Sequence, residues 1–224
     1  LARFNTCKPL LEEYQRLLKQ PDGWFKVPLS TLAVLSSASS FVDNPVLGSR
    51  VFNQAGLHAW RVKTAAQLAK RRRAKLAKYL SETELSFFKK NGFVIKENFL
   101  PESTFASLEQ ELLATELPAR ETLQGNTVTR RIPLDYRTLP LLPNAKHLIA
   151  QSNFQQLINY VGCFKVQPML YIQTILSHVR KANEDPQTSL HADTFHSSVK
   201  AWLFLTDVIE DEGPFVYVPG SHQL

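Results

Sequence analysis

Apolar residues first recur at helical spacing in KPLLEEYQRLLKQ, where Leu10, Leu11, Tyr14, Leu17 and Leu18 share a face and the turn PDG closes the run. VDNPVLGS, with Asp43, Asn44 and Pro45, reads as a turn-rich break. The next stretch, GLHAWRVKTAAQLAKRRRAKLAKYL, predicts a long helix with an apolar stripe of Leu57, Trp60, Ala65, Leu68, Leu76 and Tyr79. A new unit is expected to begin at Ser81. There SETELSFFKKNGF pairs Ser81 with Glu84 as a capping box, and Asn91-Gly92 closes the helix. A short strand in FVIKENFL and a second helix in PESTFASLEQELLATEL follow.

QGNTVTRRIPLDYRTLPLLP carries too much proline for regular structure throughout. AKHLIAQSNFQQLINYVG predicts one more helix, ended by Gly162. Beyond it the period shortens to that of strands: KVQPMLYIQTILSHV, VKAWLFLTDVI and PFVYVPGS, separated by turn signals that include Asp211-Glu212-Gly213-Pro214. Helices first and consecutive strands last predict an α+β protein with a sandwich- or barrel-like core toward the C-terminal end.

Composition changes this picture little, and charge changes it locally. Of 26 basic residues, nine lie between Asn44 and Ser81, a stretch without a single acidic side chain. The remainder holds 17 basic against 20 acidic residues, so the basic character is local and not that of a chain-wide nucleic-acid surface. A solvated basic face is the plain reading of that helix; the sharper one is a peripheral membrane or other anionic partner met through residues 57–80. No apolar run approaches the roughly 20 residues that a membrane span needs. Cys7 and Cys163 have no paired spacing, so a cytoplasmic setting is expected. The chain opens on Leu1 and not on Met, which suggests that the natural start is absent.

The candidate chemistry lies in SLHADTFH. On a strand, His191 and Asp193 project from the same face, so an imidazole and a carboxylate converge. With one further nitrogen ligand they would form the facial triad that holds Fe(II) and leaves positions open. The tripeptide alone would serve equally well as a hydrogen-bonded structural histidine. Its surroundings are more specific: H-A-D-T-F-H-S-S-V-K-A-W-L-F-L-T-D-V-I-E-D-E-G-P-F-V-Y-V-P-G-S-H, over His191 to His222. This segment resembles the phytanoyl-CoA dioxygenase family of Fe(II)- and 2-oxoglutarate-dependent oxygenases. There a strand with H-x-D precedes a tryptophan-bearing strand, an acidic turn ending in Gly-Pro, and a strand closing on P-G-S-H. A looser resemblance extends back to Leu80.

The resemblance implies a double-stranded β-helix, of the jelly-roll or cupin kind, with N-terminal helices packed on it. The core would occupy 81–224, preceded by a helical extension over 1–80. His191 and Asp193 would be iron ligands. Trp202 would wall the 2-oxoglutarate pocket, although a core tryptophan is an equal reading, and Gln173 and Ile175 would contact the cosubstrate from the preceding strand. Arg130 and Arg131 would bind a carboxylate or phosphate, or stand as a solvated pair. Pro219-Gly220 fits the centre of a type II turn. The family's third histidine and an arginine for 2-oxoglutarate fall beyond Leu224, so a longer enzyme is expected.

His196 and His222 are weaker candidates for the third place. His178 would lie near the mouth of the site, and His58 and His147 would be structural. The implied activity is hydroxylation of an aliphatic C–H in a small-molecule or acyl substrate. The alternative is a degenerate, metal-free barrel acting as a binding module.

Overall fold

The leucine face at the start of the chain forms α1 (Cys7–Leu18), and the PDG turn delivers α2 (Gly23–Ala33). The computed structural model describes residues 7–38, 40–165, 167–212 and 214–223. They divide into two compact units: one running up to Arg72 and including Ala192–Ser198, the other running from Arg73 to His191 and resuming at Val199.

In the first unit, α1, α2, the short α3 (Arg50–Gln54) and the start of α4 (Leu57–Leu76) enclose Leu17, Val27 and Val46, with Tyr14, Phe52 and Leu57 packed against them. Polar side chains of the 40s loop serve both the loop itself and the helices beside it. Asn44 Oδ1 accepts from the backbone N–H groups of Val46 and Leu47, an Asx-type turn. Ser49 caps α3 by accepting from the Phe52 N–H, and its hydroxyl donates to the buried carboxylate of Glu13 at 2.8 Å.

The second unit begins at Arg73, ahead of Ser81, and its first full helix has the expected ends. Ser81 and Glu84 form the capping box of α5 (Glu82–Asn91), and Gly92 ends the helix at φ 86°. α6 (Glu102–Ala114), α7 (Pro143–Ala150) and α8 (Ser152–Gly162) follow. The single helix expected over the last two is interrupted at Gln151, which is extended at ψ 133°. Gln155 Nε2 reaches back to the Ile149 carbonyl and satisfies the end of α7. The start of α7 is held by Glu111 of α6, whose carboxylate accepts from the N–H groups of Asn144 and Ala145.

The sheet differs most from expectation. β1 (Arg120–Gln124), β2 (Thr127–Pro133) and β3 (Tyr171–Leu176) form one antiparallel sheet in that order. The first two strands lie in the stretch read as too rich in proline. Its prolines fall at and after the end of β2, and Gly125-Asn126 makes a two-residue hairpin loop between Gln124 and Thr127. FVIKENFL is not a strand, and Asn98 within it turns the backbone to φ 49°.

Among the described residues, VKAWLFLTDVI and PFVYVPGS are not strands either; Gly213 lies outside them. A strand is completed by a neighbour's N–H and C=O groups, and alternation along one segment does not supply that neighbour. The architecture is therefore α+β: helices with a small antiparallel sheet. Ile172 of β3 packs on the buried cluster of Leu100, Leu108, Leu142 and Ala145, which fixes one sheet face against α6 and α7.

Candidate functional site

The approach to His191 is built from the hairpin tip. Val179 N–H donates to the Asn126 carbonyl at 3.0 Å, and Arg180 Nε donates to the Gly125 carbonyl at 2.9 Å. The chain then enters a 3-10 turn, Pro186–Thr188, capped by the buried Asp185, which accepts from the Gln187 N–H at 2.9 Å. Ser189 follows, and its carbonyl lies 2.7 Å from His191 Nδ1. A carbonyl can only accept, so this contact places a proton on Nδ1 and leaves Nε2 as the ring nitrogen that a metal would take. His191 is solvent-exposed and is not on a strand.

Asp193 is also exposed and lies in the Ala192–Ser198 segment of the first unit, whereas His191 belongs to the second. Among the described residues no three His, Cys, Asp or Glu side chains gather as a metal-binding group.

Gln173 and Ile175 lie on β3 opposite Arg131 and Thr129 of β2. Partners across an antiparallel pair share a face, and Ile172 takes the other face into the helical core. Gln173 and Ile175 therefore stand together on the open face of the sheet. Arg131 Nε donates to Gln173 Oε1 at 2.8 Å, which leaves the NH₂ of that amide as its donor end. Arg130 points to the opposite face and pairs with Glu121. The two arginines thus separate into one ion-paired residue and one that orients Gln173. Trp202 is half-exposed, its ring 4.3 Å from that of Phe215 with 33° between the planes.

The other histidines take structural places. His222 packs 5.6 Å from the Phe88 ring and over Gly92, and burial followed by the nearby Arg73 charge holds its pKa below the ordinary histidine value. His196 Nδ1 lies 3.2 Å from the Ser197 carbonyl, and His178 adopts φ 58°. His58 stands between the rings of Phe41 and Phe195, and His147 lies in the last turn of α7. A hollow of about 470 Å³ lined by Phe105, Glu109, Phe204, Leu205, Thr206 and Asp207 includes neither His191 nor Asp193.

Arg61 and Arg73, both in the basic run, have internal duties. Arg61 is 3% exposed and donates to the carbonyls of Val34, Ser36 and Ala38. Arg73 donates to those of Tyr160 and Val161 at the end of α8. Among the described residues no helix is long and apolar enough to cross a membrane.

Sequence reasoning missed the hairpin and the seat of Phe195. The Gly125-Asn126 dipeptide between alternating threonines was the available signal for the first. Nothing local signals the second. The phytanoyl-CoA dioxygenase (PhyH) family model matches residues 88–224. No curated protein and no solved structure matches the chain.

Proposed function

The chain belongs to the phytanoyl-CoA dioxygenase family, and on that premise we propose that it is a non-haem Fe(II)- and 2-oxoglutarate-dependent dioxygenase. It would hydroxylate an aliphatic C–H bond of a small-molecule or acyl substrate. Family membership supports an oxygenase-type enzyme; the iron, the cosubstrate, the substrate class and a double-stranded β-helical core over 81–224 are parts of the proposal. The observation that carries it is the His191-x-Asp193 pair inside the matched segment, with His191 Nδ1 turned to the Ser189 carbonyl and away from any metal at Nε2.

The donor chemistry fits Fe(II): one neutral imidazole nitrogen and one carboxylate, whose charge offsets half that of the ion. A third donor remains to be added to these two. When bound, the iron and 2-oxoglutarate supply oxidation of the C–H bond, with decarboxylation of the cosubstrate to succinate. The chain's own residues do the rest. Ser189 fixes the orientation of His191. Gln173, itself held by Arg131, offers an amide donor to a carboxylate, and Ile175 beside it provides an apolar neighbour on the same face. Trp202, its ring against that of Phe215, would offer an apolar wall to the cosubstrate.

Purified protein supplied with Fe(II), 2-oxoglutarate and dioxygen is expected to form succinate, and His191→Ala or Asp193→Ala to abolish it. Undiminished succinate formation in either variant would sink the proposal. Metal binding without succinate would favour a binding barrel over a dioxygenase.

A further inference from the structure

The segment that follows the candidate ligand Asp193 is fastened by a side chain with no place in the proposed chemistry. Phe195 is set against α4, with the Arg61 guanidinium carbon 4.2 Å from its ring centroid and the His58 ring 6.0 Å away in an edge-on arrangement. Phe41 closes on the other side of His58 at 5.4 Å. Arg61 cannot drift, because it is almost fully buried and three backbone carbonyls hold its Nε and Nη2. A desolvated guanidinium over an aromatic face is a strong, directional contact, unlike the same pair in water.

The seat is also polar where plain packing would be apolar. Among the described residues, His58 Nδ1, Arg61 Nη1 and Thr194 Oγ1 are buried without a hydrogen-bond partner. Each such atom opposes folding, so an all-hydrocarbon seat would hold the fold more cheaply. Costly polar detail of this kind concentrates where position matters more than stability.

We infer that Phe195, seated on Arg61 and His58, is a positioning residue for Asp193: within the first unit, the helical extension holds the backbone that carries this carboxylate. This rests on the proposal that Asp193 is a metal ligand. Asp193 lies only two residues before the anchored ring, so the seat leaves its backbone little freedom. Ligand groups held a few tenths of an ångström from their working place bind without first paying to be ordered.

Titration of the whole metal-free chain with Co(II) under anaerobic conditions, read by the visible d–d absorption, tests this without any turnover. Asp193→Ala is expected to lose the signal. Phe195→Ala is expected to weaken Co(II) binding by about tenfold or more, the usual consequence of losing a supporting partner of a ligand. Phe195→Leu, which keeps most of the volume and so guards against simple unfolding, should weaken it in the same direction with an altered d–d band. Phe195→Tyr keeps the ring over Arg61 and should restore wild-type affinity.

Phe52→Ala loosens the same unit's core away from the segment and should leave Co(II) affinity in place. If Asp193→Ala loses Co(II) while Phe195→Ala and Phe195→Leu bind as wild type, the inference is overturned and the ligand assignment stands. If Phe52→Ala weakens binding as much as Phe195→Ala, general loosening explains the effect and the inference is again overturned. If the wild type takes up no Co(II), or Asp193→Ala takes up as much, the ligand assignment fails and this inference fails with it.

Discussion

The imidazole of His222 occupies the space that a side chain on Gly92 would need: a Cβ built there would collide with His222 Nδ1 and with the Tyr217 hydroxyl, which lies within 2.5 Å. Gly92 is also the left-handed cap of α5 at φ 86°. Two further bonds fasten the final turn to the same helix end, from Gly220 N–H to the Asn91 carbonyl and from Gln223 Nε2 to the Lys89 carbonyl. Gly92→Ala should therefore cost about 1–3 kcal/mol, combining the positive φ with displacement of the ring, and a thermal melt measures it.

The same packing gives a pH dependence. Burial, then the Arg73 charge, lowers the His222 pKa, and the Lys89 backbone only partly opposes them. The unfolded chain thus binds the proton more readily than the folded one. Stability from this residue is full above the ordinary histidine value near 6.5 and falls as pH drops below it. Melting points taken between pH 7.5 and 5.5 should decline, and His222→Phe should flatten that part of the curve. An equal decline in both proteins would refute the assignment.

What was legible in the sequence was local. The capping box at Ser81 and Glu84 and the stop at Gly92 involve neighbours within one turn, so spacing alone identifies them. The spacing of His191 and Asp193 is equally local, and their role as ligands belongs to the proposal. The prolines that flank the hairpin mask it in the sequence, although Pro133 sits at the last residue of β2, where the ladder tolerates it. The seat of Phe195 on Arg61 and the docking of His222 on Gly92 join residues more than a hundred positions apart, and no periodicity encodes such a partner. The break at Gln151 was hidden differently: one apolar face continues across both helices, and only the backbone interrupts it.

Glu13 predicts acid sensitivity in the first unit. Its hydrogen bonds from Arg16, above all, and from Ser49 outweigh burial and hold its pKa at about 2. The contribution is complete above the ordinary carboxylate value near 4.5 and is lost as pH falls from there toward 2. Glu13→Gln keeps the shape and loses the charge, and should cost about 1–3 kcal/mol, as hydrogen bonds to a charged group do. Its acid unfolding curve should be shallower than that of the wild type over that interval.

Arg73 should matter to stability more than its neighbours in the basic run. It donates to the Tyr160 and Val161 carbonyls, closing the end of α8, while its guanidinium carbon lies 5.0 Å from the Phe88 ring centroid. Arg73→Met keeps the apolar stem but leaves those carbonyls unsatisfied, at a cost of about 1–3 kcal/mol. Arg71→Met, on an exposed position with no such carbonyls, should stay within about 0.5 kcal/mol. Chemical denaturation of the two variants side by side decides the matter; equal losses would mean that the capping contacts contribute nothing.

Gly125 links the hairpin to the loop that leads to His191. It adopts φ 56°, and a Cβ there would lie 2.5 Å from the Asn183 carbonyl oxygen and 2.8 Å from the Glu184 backbone. Backbone atoms cannot rotate aside as a side-chain tip can, so Gly125→Ala must move the 179–185 loop or open the turn. The expected loss is about 1–3 kcal/mol from the left-handed conformation and the overlap together. The bonds from Val179 and Arg180 to the hairpin tip would break with it. Hydrogen exchange reads this directly: the Val179 amide should lose protection in Gly125→Ala while the β2–β3 ladder amides, anchored by Ile172 in the helical core, keep theirs. Unchanged protection at Val179 would show that the loop before His191 is ordered by something other than the hairpin.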